Sequence, residues 1–181
     1  GRKLNKYGHK RDVSFQTWLK FVGWYVSEGS SWVTPSNHTV CITQNPGRKQ
    51  DEICQIVRDL GFTPYVNGKN IIISSKQLYT AVSIFGKGAA NKEIPREYLT
   101  LSPNSLKYLF SSLMCGDGDA DGSKYSTTSC KLADAVQEMA LKLGFAAWIG
   151  EEQRANKKHK LMYRVHIRKT TRMDTGRNNR F

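Results

Sequence analysis

The sequence predicts an α+β fold made of two pseudo-symmetric halves, each reading α-β-β-α-β-β plus an extra helix. Three observations predict it. A motif recurs: "RDLGFTPYV" (58–66) aligns with "LKLGFAAWI" (141–149), and an amphipathic helical stretch precedes each copy. Two apolar helical runs both end in an acid followed by glycine, at "SEG" (27–29) and "GDG" (116–118). Near the far end, "KLMYRVHIRK" (160–169) alternates apolar and polar residues with the period of a strand.

Each element follows in order. Ser14 is placed to cap a helix over 15–28, which is apolar nearly all round and so belongs at the centre of the structure. Strands are expected near 31–34 and 38–44, a helix over "DEICQIVRDLG" with Ile53, Ile56, Val57 and Leu60 on one face, then strands near 63–66 and 70–75. "LYTAVSIFG" (78–86) reads as a further helix. Ser102-Pro103 is a helix start, with proline at the first helical position, for the run ending near Asp117. Strands near 123–128, 145–150 and 161–168 surround "KLADAVQEMALKLG", whose apolar residues again fall on one face before Gly144. "CITQ" (41–44) faces "STTS" (126–129), and "IIISSK" (71–76) faces "RVHIRK" (164–169), in the same order in both copies. The halves are assigned to 13–90 and 102–170, the connector to 91–101, and basic ends to 1–12 and 171–181.

Composition narrows the partner. The 181 residues are 39% hydrophobic and 10% aromatic, enough for a core, and the formal net charge is +13. A balance so basic points to a polyanion, nucleic acid first and a membrane surface second. No apolar run reaches the roughly 18 residues of a bilayer span, so no membrane partner is expected. Residues 1–12 are polar and basic, so no signal peptide is expected. Cys41, Cys54, Cys115 and Cys130 show no CxxC spacing and read as reduced thiols, as in a cytoplasmic or nuclear protein.

The chemistry rests on the two acids. Gly23 sits inside the first apolar helix, where it costs about 1 kcal/mol against alanine, and Ser112 takes the matching place in the second. Small residues at both places suit close packing of the two helices across a pseudo-twofold axis. That packing would set Glu28 beside Asp117, two acids at the negative ends of two helices. A divalent cation resolves the conflict, since carboxylates are hard ligands suited to Mg²⁺. Paired acids at a seam beneath a basic surface are what metal-assisted phosphodiester hydrolysis needs. Taken singly, an acid before glycine is an ordinary turn residue; its repetition in both halves is the signal. "DGDADG" (117–122) lacks the glutamate of a calcium loop, with Thr128 at that place. On 160–169, Arg164, His166 and Arg168 share a strand face and would meet DNA in the major groove. Trp32, Thr34, Asn37, His38, Thr39 and Arg48 are the corresponding candidates in the first half.

"FVGWYVSEG" (21–29) and "FSSLMCGDG" (110–118), with "ITQ", "LGF" and the "IPREYL" connector, resemble the two-repeat LAGLIDADG homing endonucleases, in particular the dodecapeptide type embedded in inteins. The resemblance covers about residues 13–170. It implies αββαββα in each half, a β-saddle lying on double-stranded DNA, and a monomer with internal pseudo-twofold symmetry. It implies a staggered double-strand cut dependent on Mg²⁺, with Mn²⁺ a possible substitute. It assigns metal binding to Glu28 and Asp117, water positioning to Gln44 with Ser129 as its weaker counterpart, and phosphate support to Lys76 and Lys169, with Lys124 as the competing lysine. It also admits a non-cleaving RNA maturase or DNA-binding regulator, although such relatives often lack one or both acids. A protein-splicing element is a third reading, with this chain as the endonuclease portion: it starts at Gly1 and carries no terminal His-Asn pair, so it is not expected to splice alone.

Overall fold

The computed structural model describes residues 13–153 and 161–169. The first half runs α1 (Phe15–Glu28), β1 (Gly29–Thr34), β2 (Asn37–Thr43), α2 (Arg48–Asp59), β3 (Tyr65–Asn67), β4 (Asn70–Ser74) and α3 (Lys76–Val82), the last continued by a 3₁₀ turn Ser83–Phe85. The connector holds a 3₁₀ turn Ala89–Asn91 and the short helix α4 (Arg96–Leu99). The second half runs α5 (Pro103–Asp117), β5 (Lys124–Thr127), α6 (Cys130–Lys142), β6 (Phe145–Glu152) and β7 (Met162–Lys169).

Both sheets are antiparallel, with orders β1-β2-β4-β3 and β5-β7-β6. The first half has the expected αββαββα order in full. The second differs at one place: no strand forms between α5 and β5, and a single bridge, Gly118 to Tyr125, stands where Gly29 pairs with Ile42 in the first. The reason is local. "DADGS" (119–123) closes a tight turn, with the Gly122 N–H donating to the Asp119 carbonyl and the Ser123 N–H to Asp121 Oδ1, which leaves no length for a hairpin arm. The chain beyond Lys169, where a last helix of that half would fall, lies outside the described residues.

The helix α1 is as buried as its composition demands, with Leu19, Phe21, Val22 and Trp24 wholly inaccessible. It crosses α5 at small residues. A Cβ built on Gly23 would lie 2.6 Å from Ser112 Cβ and 2.7 Å from the Leu109 carbonyl. One turn on the arrangement reverses: a Cβ on Gly116 would overlap Ser27 Cβ, and Ser27 Oγ donates to the Leu113 carbonyl at 3.2 Å. Glycine thus faces serine at both levels of the seam. Helices α2 and α6 end as the two "LGF" copies require, with Gly61 and Gly144 at φ +79 and +85, in the left-handed region that favours glycine.

The inner sheet faces supply the rest of one continuous core, with Val40, Ile42, Ile71 and Ile73 from the first and Tyr125, Val165 and Ile167 from the second. The connector is stitched to both halves. Trp18 Nε1 donates to Tyr98 Oη at 2.9 Å, Arg96 pairs with Glu138 at 2.6 Å, and Lys131 pairs with Glu93 at 2.7 Å. Lys92 is 4% exposed; its Nζ donates to the Tyr25 carbonyl at 3.1 Å and lies 3.6 Å from the centre of that ring. Ser129 Oγ donates to the Lys92 carbonyl at 2.6 Å. Burial lowers the Lys92 ammonium to about 8.

Candidate acid seam and nucleic-acid interface

The crossing of α1 and α5 delivers two carboxylates to one place. Glu28 and Asp117 are the last residues of their helices, and a Cβ on Gly116 would come within 3.5 Å of Glu28 Cγ. Both are half-buried. Burial, then the Glu28 charge, pushes Asp117 up to about 7, against a pull from the Tyr125 hydroxyl, which donates to Asp117 Oδ2 at 3.5 Å. Burial also raises Glu28, and the Lys49 charge opposes it. The pair offers hard oxygen donors and makes no ion pair among the described residues, which fits Mg²⁺ held by one or two carboxylates with water and phosphate oxygens. Among the described residues no cluster of three His, Cys, Asp or Glu exists, so other ligands would be backbone carbonyls, water or substrate.

Sequence reasoning missed two neighbours of the pair. Lys49, the second residue of α2, donates from Nζ to the Cys115 carbonyl at 2.8 Å, at the last turn of α5. Tyr125, wholly buried, occupies the row that Ile42 holds in the first half. The alternation of β5 carried a signal for Tyr125, since an aromatic residue one step past Lys124 falls on the inner face. Nothing local marks Lys49.

The other candidates divide. Gln44 follows β2, its backbone N–H donating to the Lys69 carbonyl at 2.8 Å and its Oε1 accepting from the Asn45 N–H at 3.0 Å. Its counterpart two residues past the bridged row is Thr127, not Ser129, which is buried as the N-cap of α6 and accepts from the Leu132 N–H. Lys76 and Lys169 are displaced from the acids. Ile71 is level with Gly29, and β4 runs on roughly 10 Å to Ser74 before Lys76 opens α3. Lys169 lies four residues past Val165, the residue level with Gly118, or about 13 Å along β7. It also falls on the inner-face alternation and lines a 770 Å³ groove with Phe110, Met114 and Phe145. His38 shares its face with buried Val40 and Ile42 and packs edge-on against Tyr79 of α3 at 5.2 Å, so it points away from the outer sheet surface. Arg48 is exposed at the start of α2.

The remaining cations share one surface. Lys124, His166 and Trp148 form one cross-strand row, and Arg164 and Arg168 flank it on the central strand β7. Arg164 pairs with Glu152 at 2.6 Å and Lys124 with Asp119 at 3.8 Å. The outer face of the first sheet presents Trp32, Thr34, Asn37, Asn67, Asn70 and Tyr65, with Trp32 and Tyr65 exposed. Thr39 shares the row of Trp32 but is buried.

Comparison with known proteins agrees with this architecture. Residues 106–175 match the model of the LAGLIDADG-like domain. The chain is 31% identical over 164 residues, 78% of its length, to an ATP-dependent Clp protease proteolytic subunit of Chlamydomonas moewusii. It is 25% identical over 182 residues to the DNA polymerase II large subunit of Thermococcus kodakarensis, and 31% identical over 147 residues to a DNA polymerase of a Thermococcus species. It spans only 16%, 10% and 8% of those relatives. Among solved structures it superposes on I-DmoI in complex with DNA and Mn with a TM-score of 0.62, at 12% identity, covering 84% of this chain and 89% of that one. A variant of I-DmoI in complex with its target DNA in the presence of Mg gives a TM-score of 0.63 at 13% identity over the same shares. Residues 106–175 are thus similar to the LAGLIDADG-like domain, and the chain has the fold of the homing endonuclease I-DmoI.

Proposed function

We propose that the chain is a two-repeat LAGLIDADG homing endonuclease that makes a metal-dependent, staggered double-strand cut in a long DNA target. The observation that carries this is the pairing of Glu28 and Asp117 at the ends of two helices packed through glycine and serine. The I-DmoI structures are complexes with DNA and Mn, Mg or Ca, which supports use of a divalent cation; in this reading it is Mg²⁺, held between Glu28 and Asp117. When bound there, such an ion supplies neutralisation of phosphate charge and a lowered pKa of bound water. The residues of this chain do the rest. Glu28 and Asp117 would hold the ion through their carboxylate oxygens, and its charge would favour the ionised form of Asp117. Lys49 sets a positive charge beside Glu28. The outer faces of the two sheets hold the duplex in register, the cations of the second against phosphates.

The distribution of the sequence bears on its origin. Sequence similar to this chain occurs in a protease subunit and two DNA polymerases, and it occupies a small share of each. Such a distribution suits a segment inserted into unrelated hosts, as the endonuclease part of an intein or an intron-encoded protein would be. The protein acts as a monomer in this reading, the two halves taking the places of two subunits, and its thiols stay reduced in the cytoplasm, nucleus or an organelle.

The test is cleavage selection. Purified protein is incubated with Mg²⁺ and a randomised long-duplex library, beside Glu28→Gln and Asp117→Asn. Discrete cuts by the wild type alone are expected. Selective binding with no cuts in any sample would replace the enzyme by a non-cleaving nucleic-acid-binding protein.

A further inference from the structure

On the outer face of the second sheet, three side chains form a column. The rings of His166 and Trp148 stack at 5.0 Å with an interplanar angle of 7°. The Arg168 guanidinium carbon lies 5.8 Å from the centre of the Trp148 ring, within cation–π range. The two rings are directly opposed across β6 and β7, and Arg168 is two residues along β7, on the same face as His166. Trp148 is 47% exposed although it is large and apolar, so the sheet presents the ring to solvent.

Arg168 also differs from the other cations on this face. Arg164 is held by Glu152 and Lys124 by Asp119. Among the described residues, no carboxylate lies within 4.0 Å of the Arg168 guanidinium. Its planar fork therefore lies against an aromatic ring, with no ion-pair partner among the described residues. It projects from the central strand of three, on the outer face of an antiparallel sheet, an element that can lie in the major groove. A planar fork with two parallel donors matches the O6 and N7 acceptors of guanine; the same fork also matches a phosphate, and its place on the outer, base-facing side of the sheet is what favours a base edge.

We infer that Arg168, positioned by Trp148 in the His166–Trp148–Arg168 column, reads one guanine in the major groove of the target. The inference rests on the DNA-binding reading above and adds to it a specificity-determining residue and the base it selects. Trp148 is a positioning residue, acting through the guanidinium.

The test is selection of bound duplexes from a randomised library with Ca²⁺ in place of Mg²⁺, so that binding is scored without cutting. Wild-type protein is expected to enrich guanine at one position. Arg168→Ala should lose about 5- to 150-fold of the discrimination at that position, with preferences elsewhere kept. Trp148→Ala should relax the same position, and Arg164→Ala should leave it intact. Arg168→Gln should shift the preference there from guanine to adenine, a gain that misfolding cannot imitate. A uniform loss of affinity in the Arg168 variants with every base preference retained would make the contact a phosphate contact and overturn the inference. Selection of other bases by the wild type, with no guanine dependent on Arg168, would overturn it while leaving DNA binding standing. No selective binding by the wild type would remove both the inference and the reading it rests on.

Discussion

The second sheet keeps the strand order of the first without its edge strand, and the two differ in charge. No lysine, arginine, aspartate or glutamate occurs in β1, β2, β3 or β4. In β5, β6 and β7 there are Lys124, Arg164, Arg168 and Lys169 against Glu151 and Glu152. The acids at the seam differ in the same way. Glu28 has Lys49 nearby and Ile42 beneath the following glycine, whereas Asp117 has the Tyr125 hydroxyl and greater desolvation. A shared topology therefore hosts two chemistries: a neutral amide, hydroxyl and aromatic surface in the first half, and a cationic one in the second. Amides and hydroxyls discriminate bases without attracting phosphate, while cations draw in the backbone and make binding depend on salt.

The two halves can be set against each other most sharply at the acids. Glu28→Gln and Asp117→Asn should each reduce cutting by about a thousandfold or more while duplex binding in Ca²⁺ is retained. If one of the two leaves cutting intact, the halves differ in kind and the seam is not a joint centre. Next comes salt. Lys124→Ala should flatten the dependence of log affinity on log salt by about 0.9, the release of one counterion, and Arg164→Ala should weaken binding further because it leaves Glu152 unpaired near DNA. Trp32→Ala and Asn37→Ala should lower affinity with the slope unchanged; a slope that moves equally in both sets would erase the distinction between the sheets.

A smaller effect sits between the halves, at Lys92. Its folded value of about 8 lies below its ordinary 10.5, so the unfolded chain binds the extra proton in that window. The cost of keeping the charge buried is full below about pH 8 and gone above 10.5. Thermal melts of wild type and Lys92→Met should therefore converge or cross as pH rises through that range, by a few degrees. Parallel curves would mean that Lys92 has the same affinity for a proton folded and unfolded. The smallest expected change is Tyr125→Phe, which gives the second half an apolar residue where the first has Ile42. Loss of one long hydrogen bond to Asp117 should reduce cutting by no more than about threefold near neutral pH, most visibly on its acid side, where the bond favours the ionised carboxylate. A loss comparable to that of Asp117→Asn would make the hydroxyl part of the chemistry.

The sequence carried the fold because its elements obey local rules. An apolar run of one helix length ends at Glu28 where Gly29 follows, and a Cβ at Gly29 would collide with Tyr25. The alternation of β7 sorted Val165 and Ile167 from His166 and Arg168 before any register was known. The meeting of Glu28 with Asp117 was legible through Gly23 and Ser112, whereas the second contact, Ser27 against Gly116, emerged only from the structure. Distance along a strand was not legible. Lys76 and Lys169 matched each other in sequence, but the register that carries them away from the acids depends on pairings between segments far apart in the chain. His38 needed the position of Tyr79, and Lys49 and Lys92 act through carbonyls 66 and 67 residues distant. Such contacts leave no local period to read.

The alternation of glycine and serine across the crossing has a consequence for how the molecule assembles. Gly23 meets Ser112 and Ser27 meets Gly116, so each helix is the complement of the other and not of itself. Two copies of α1 in the same geometry would bring serine against serine at one level and leave a gap between glycines at the other. Two copies of α5 would clash at Ser112, where a β-carbon on the facing helix would stand only 2.6 Å from the serine's own. Partner choice is thereby written into two pairs of side chains no larger than a hydroxymethyl group. A half excised from this chain should stay single or seek its own missing half.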